Sequence, residues 1–179
     1  MKTSHLAIII IMALSVLTSL SQVFALDMGG PVRISPYQLS LLAASGKNVY
    51  VTYQQNSYSG NTQSYFTKSS DGGKSFMSPM GLGSAVEPVV ASYGNYVFLA
   101  WETGFTGWPP SHVMFTKSSD WGDTFGAPTL LDNKTNSSSV ITQLLPDGKC
   151  LFAVIVELGE RPPYNSGTYL ISSPDNGTT

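Results

Sequence analysis

The chain has 179 residues, with nine basic and 11 acidic side chains and a formal net charge of −2 at pH 7. That length favours a single domain, and that charge leaves no electrostatic footprint for nucleic acid or anionic lipid. Two histidines and one cysteine exclude a histidine-based metal cluster and an intrachain disulfide, and no metal or cofactor is expected.

Residues 1–25 read as a signal peptide. Met1 and Lys2 give a basic start, 6–20 form an apolar run, and Val23-Phe24-Ala25 offers the small-residue pattern for cleavage before Leu26. Polar Ser21 and Gln22 cut the run below a comfortable span, which weighs against a retained anchor. The mature protein is then secreted or held at the cell surface, with no stable membrane span after cleavage.

From there the chain repeats. Gly46, Gly94 and Gly148 each precede an apolar or aromatic strand, at 49–53, 97–101 and 151–155. Each also follows a candidate strand, at 37–44, 86–92 and 139–145. A polar loop leads to a third strand at 64–69, 112–118 and 167–172, and a short fourth segment closes the first two repeats near 76–79 and 125–128. Aromatic and β-branched content favours strand, and no sustained 3.6-residue periodicity appears. The fold class is therefore all-β, built from four-stranded antiparallel meanders. Tyr53 and Trp101 hold equivalent second-strand positions and are expected in the core. Cys150 abuts the apolar run Leu151-Phe152-Ala153-Val154 and reads as a buried small hydrophobe, with a partner-seeking thiol as the alternative.

One hexapeptide occurs twice without change: Phe66-Thr67-Lys68-Ser69-Ser70-Asp71 and Phe115-Thr116-Lys117-Ser118-Ser119-Asp120. Gly72-Gly73-Lys74-Ser75-Phe76 follows the first copy and Trp121-Gly122-Asp123-Thr124-Phe125 the second, while Ser173-Pro174-Asp175-Asn176-Gly177-Thr178-Thr179 echoes both. A period near 50 residues marks one unit built repeatedly. These segments resemble the Asp-boxes, or bacterial neuraminidase repeats, of sialidase-like β-propellers. The resemblance implies propeller blades: blade 1 at about 31–83, blade 2 at about 84–132 and a truncated blade 3 at about 137–179, all within a partial propeller over 26–179. It also places each box in the hairpin between third and fourth strands. Ser69, Asp71, Gly73 and Phe76, Ser118, Asp120, Gly122 and Phe125, and Ser173, Asp175 and Gly177 are then structural: glycine permits the turn, aspartate accepts backbone N–H groups, and the aromatic ring drops into the core. Gly73-Lys74-Ser75 superficially matches the end of a phosphate-binding loop, but Lys68 stands where that motif needs glycine.

Sialidase chemistry, which the resemblance raises, needs three arginines to clamp a carboxylate bidentately. The chain has two, Arg33 and Arg161. Arg33, in Arg33-Ile34-Ser35-Pro36, stands near the family's first clamp arginine, with a serine inserted into the Arg-Ile-Pro pattern. It is the one candidate catalytic-clamp residue. His112 alone cannot build a serine triad, and no nucleophile elbow appears. Glu102 and Glu157, near the ends of neighbouring second strands, are a possible carboxylate pair offset by one alignment position.

A binding surface is expected on the loops opposite the boxes, at 54–63, 103–111 and 158–166, where Phe105, Trp108, Arg161 and Tyr164 are the candidate contacts. Sequons begin at Asn133, Asn136 and Asn176. Propellers close with four to eight blades, so the remaining blades come from a longer chain or from self-assembly. The expected function is non-catalytic recognition of a glycan or protein ligand. The alternatives are the N-terminal part of an exo-sialidase-like glycoside hydrolase and a structural surface scaffold.

Overall fold

The computed structural model describes residues 30–35, 40–56, 62–104, 110–132, 137–159 and 166–179. Every regular element among them is a strand. Within the compact unit Val32–Thr179, three antiparallel sheets form, none of them closed. The first contains β1 (Ser40–Ser45), β2 (Asn48–Asn56), β3 (Thr62–Ser69) and β4 (Met80–Gly81). The second contains β5 (Val86–Tyr93), β6 (Tyr96–Glu102), β7 (Val113–Ser118) and β8 (Thr129–Leu130). The third contains β9 (Ser137–Asp147), β10 (Cys150–Gly159) and β11 (Gly167–Ser173). Each sheet is a meander in which sequence neighbours pair, so the all-β, blade-like reading holds. The first strands β1, β5 and β9 stand next to one another and form the inner edge of the arc.

Two cores lie between the sheets. Between the first and second, Tyr50 and Phe66 meet Val90, Val97, Leu99 and Trp101. Between the second and third, Val89, Phe98, Val113 and Phe115 meet Ile141, Leu151 and Ile155. Because β6 is covered on both faces, it reads as an unbroken apolar run, Tyr-Val-Phe-Leu-Ala-Trp, and all six residues after Tyr96 are buried. β10 instead alternates, with Leu151, Ala153 and Ile155 buried toward the second sheet. On its other face Phe152 and Val154 are half-buried, and Leu145 and Leu170 are exposed. Tyr53 and Trp101 are buried.

Three expectations need correction. The fourth strands begin just past the ends of the segments 76–79 and 125–128, after Pro79 and Pro128. Met77 N–H and Gly126 N–H do reach the carbonyls of Lys68 and Lys117, but proline has no N–H to continue the ladder. Cys150 is half-buried, because it opens β10 opposite Asp147 at the hairpin end rather than sitting in the core. Phe125 does not drop into its own sheet: its ring meets Phe66 of the first sheet edge-on at 5.1 Å, so the aromatic binds one sheet to the previous one.

Candidate functional site

The repeated aspartates are spent on their turns. Asp71 Oδ1 accepts the N–H groups of Lys74 and Ser75 at 2.9 and 3.0 Å, and Ser75 Oγ donates to Oδ2 at 2.6 Å. Ser69 Oγ donates to Asp71 Oδ1 at 2.7 Å and accepts Gly73 N–H at 2.8 Å. The same bonds recur around Ser118, Asp120, Gly122 and Thr124, and around Ser173, Asp175, Gly177 and Thr179. Hydroxyl and N–H donors hold the Asp71 and Asp120 carboxyls far below the usual carboxylate range, and lower Asp175 to about 2. A carboxylate so firmly ionised and so fully bonded is no proton donor at neutral pH.

The second and third turns are also gripped by the sheet before them. Lys68 Nζ donates to Trp121 O and to Asp123 Oδ1, and Lys117 Nζ donates to Asn176 O and Thr178 Oγ1. A Cβ placed on Gly122 would lie 3.2 Å from Phe66 Cζ, and one on Gly177 would lie 2.8 Å from Phe115 Cζ. The repeated spelling of the hexapeptide therefore serves two turns: its serine and aspartate build their own, and its phenylalanine and lysine seat the next.

At the opposite end the inner strands enclose a cleft of about 450 Å³. β1 contributes Leu41 and β2 contributes Gln54; β5 adds Glu87, Pro88 and Val89, and β9 adds Val140, Ile141 and Thr142. Glu87 is the feature that sequence reading missed. Its φ of 48° lies in the left-handed region that a non-glycine residue rarely adopts. It occupies a bulge, since the β5–β6 register shifts between Val86 and Val89. Three side chains of the first sheet clamp that bulge: Ser64 Oγ donates to Ala85 O at 2.7 Å, Thr52 Oγ1 donates to Pro88 O at 2.8 Å, and Gln54 Oε1 accepts Glu87 N–H at 2.7 Å. Thr52, Gln54 and Ser64 are buried, yet Glu87 itself is exposed. Three buried side chains thus hold a strained backbone under an exposed carboxylate.

Glu102 stands close by at the end of β6. It is 2% exposed, and its Oε1 has no hydrogen-bond partner. Burial, and then repulsion from Glu87, push its carboxyl up to about 8, while the Ile141 N–H opposes the shift. The carboxyl that acts on Glu102 is thus Glu87; Glu157 is also buried, on β10. A second depression, of about 250 Å³, lies between Phe115, Leu144 and Leu151 and has no ionisable side chain in its walls.

Of the other sequence candidates, Arg33 is exposed ahead of β1. Phe105, Trp108, Arg161 and Tyr164 lie outside the described residues, as do the asparagines at 133 and 136 and the signal segment. Asn176 sits inside the third turn with φ 55°. His112 Nδ1 lies 2.8 Å from Asp132 Oδ1, and Asp132 Oδ2 accepts Val113 N–H at 2.7 Å, so this pair braces the start of β7. Among the described residues no group of three or more His, Cys, Asp or Glu side chains is placed to hold a metal ion.

No family model matches the chain, and no curated protein matches it. Among solved structures it is similar to a xylan β-1,4-xylosidase from Bacillus halodurans C-125, at 9% identity and a TM-score of 0.37. That similarity covers 76% of this chain and spans 39% of the xylosidase chain.

Proposed function

We propose that this chain is an exported Asp-box β-propeller segment that recognises a glycan or protein ligand at the cell surface and carries no catalysis of its own. The observation that carries the reading is a division of labour between carboxylates. Asp71, Asp120 and Asp175 are consumed by their turns, whereas Glu87 is held exposed at the mouth of the axial cleft. The recurring Ser-x-Asp-x-Gly turn supports the Asp-box assignment and the three-blade division given above. Cleavage before Leu26, export, and further blades supplied by a longer chain or by self-assembly belong to the same proposal. Panels of immobilised glycans and peptides test it: the exported protein binds at least one ligand class, and Glu87→Gln weakens that binding. Turnover of sialosides by this chain would overturn it, and silence across both panels would favour a structural scaffold.

The exposure of Arg33 favours a second reading, the N-terminal part of an exo-sialidase-like glycoside hydrolase. In that case Arg33→Ala in the complete protein abolishes hydrolysis. Unchanged hydrolysis removes Arg33 from the mechanism.

A further inference from the structure

The cleft carries an exposed charge, that of Glu87. Its walls are largely aliphatic: Leu41, Pro88, Val89, Val140 and Ile141 line it, with no lysine, arginine or histidine among the described wall residues. Two polar wall atoms besides the Glu87 carboxylate are already engaged. Gln54 Oε1 accepts Glu87 N–H, and Thr142 Oγ1 donates to Val154 O at 3.1 Å. Glu87 is exposed, and among the described residues no basic side chain pairs with it. Close to it Glu102 is buried with one oxygen unpartnered, a group that is costly to leave without a donor or a cation.

These features rank ligand classes. An anionic ligand would lose its hydration beside two carboxyl groups and gain no cation. Among the described wall residues a neutral sugar ring would find no aromatic face to lie against. A cation on a hydrocarbon stem gains on both counts: the stem covers aliphatic wall while the charged head meets Glu87. Resting on the recognition reading above, we infer that the axial cleft takes an alkylammonium group, as carried by a lysine side chain of a protein ligand or by a free aliphatic amine. Arrival of that charge also favours ionisation of Glu102, whose carboxyl burial otherwise pushes up to about 8.

The test is an amide-resolved NMR titration of the full chain. Nα-acetyl-lysine N-methylamide and butylamine are the cationic probes, its norleucine counterpart is the uncharged control, and lactose and sialyllactose represent neutral and anionic sugars. Saturable shifts at Glu87, Val89 and 140–142 are expected with the lysine probe. Affinity should fall at least about tenfold for the norleucine control and about tenfold in Glu87→Gln, and should weaken as NaCl screens the pair. Tighter binding of the lysine probe than of butylamine identifies a protein segment as the source; equal binding identifies a free amine. If a sugar shifts these amides and the lysine probe does not, the charge inference falls while recognition stands. If no probe shifts them and the glycan and peptide panels are also silent, both fall. Salt dependence and the uncharged control are read on the wild-type chain, so a failure of Glu87→Gln to fold would leave the inference testable.

Discussion

Gly73, Gly122 and Gly177 hold the same place in three turns, with φ of 85°, 78° and 72°. Adding a methyl group at any of them forces an L-residue into a left-handed conformation at about 1–2 kcal/mol. Their surroundings then separate them. The new Cβ would find only Val49 Cγ2, at 3.9 Å, on Gly73, but Phe66 Cζ at 3.2 Å on Gly122 and Phe115 Cζ at 2.8 Å on Gly177. Overpacking of this kind adds about 1–3 kcal/mol. Destabilisation by alanine should therefore rank Gly177 above Gly122 above Gly73, as read from denaturant midpoints. Equal losses at the three sites would mean that φ alone sets the cost and that the ring contacts yield freely. The turn glycines were legible in the sequence as conformational requirements. The second burden on Gly122 and Gly177 was hidden, because it belongs to a ring supplied by the preceding repeat.

At the scale of the element, the sheets are held to one another by a register that the hexapeptide encodes. Lys68 is buried to 6% exposure, and its ammonium group reaches the backbone of the turn beyond it; Lys117 repeats the contact one sheet later. At the equivalent position of the third sheet, two residues after Leu170, stands Ser172. Where Phe66 and Phe115 are 3% and 6% exposed, Leu170 is 67% exposed. Lys68→Met and Lys117→Met should each cost about 1–3 kcal/mol, since each leaves a turn carbonyl without its charged donor, whereas Ser172→Ala should be close to neutral. Thermal denaturation of the three variants decides this, and a neutral Lys68→Met would remove the lysine from the junction. The eleven strands among the described residues were largely readable from aromatic and β-branched runs between turn glycines, because those signals are local. The fourth strands slipped past their prolines for want of one N–H. The Glu87 bulge was not readable at all: its three clamps come from Thr52, Ser64 and Gln54, more than 20 residues upstream. The cleft was equally hidden, because the inner strands of all three repeats combine to make it.

The whole molecule carries two opposing pH dependences. Asp71, Asp120 and Asp175 have folded values below the unfolded aspartate value of about 3.9. The native state therefore binds fewer protons than the unfolded chain in that window. Their contribution is present above about pH 4 and is lost as pH falls toward 2 and below. Glu102 runs the other way, because its folded value of about 8 lies above the unfolded glutamate value of about 4.3. Between those values the native state holds the extra proton, so this contribution is full below about pH 4 and lost as pH rises to 8. Added together, the two limbs place maximal stability near pH 4–5, on the acid side of neutrality, with a decline toward pH 8. Glu102→Gln keeps the shape and the hydrogen-bonding capacity of the protonated acid but cannot ionise. It should flatten the decline between pH 5 and 8 and leave the acid limb in place, so that its melting temperature overtakes that of the parent chain above neutrality. Calorimetric scans across pH 2–9 read both limbs in one series. An unchanged slope in Glu102→Gln would show that Glu102 ionises freely in the folded state, through water that reaches its unpartnered oxygen. The seam between the second and third sheets would then be open to solvent where the cleft begins.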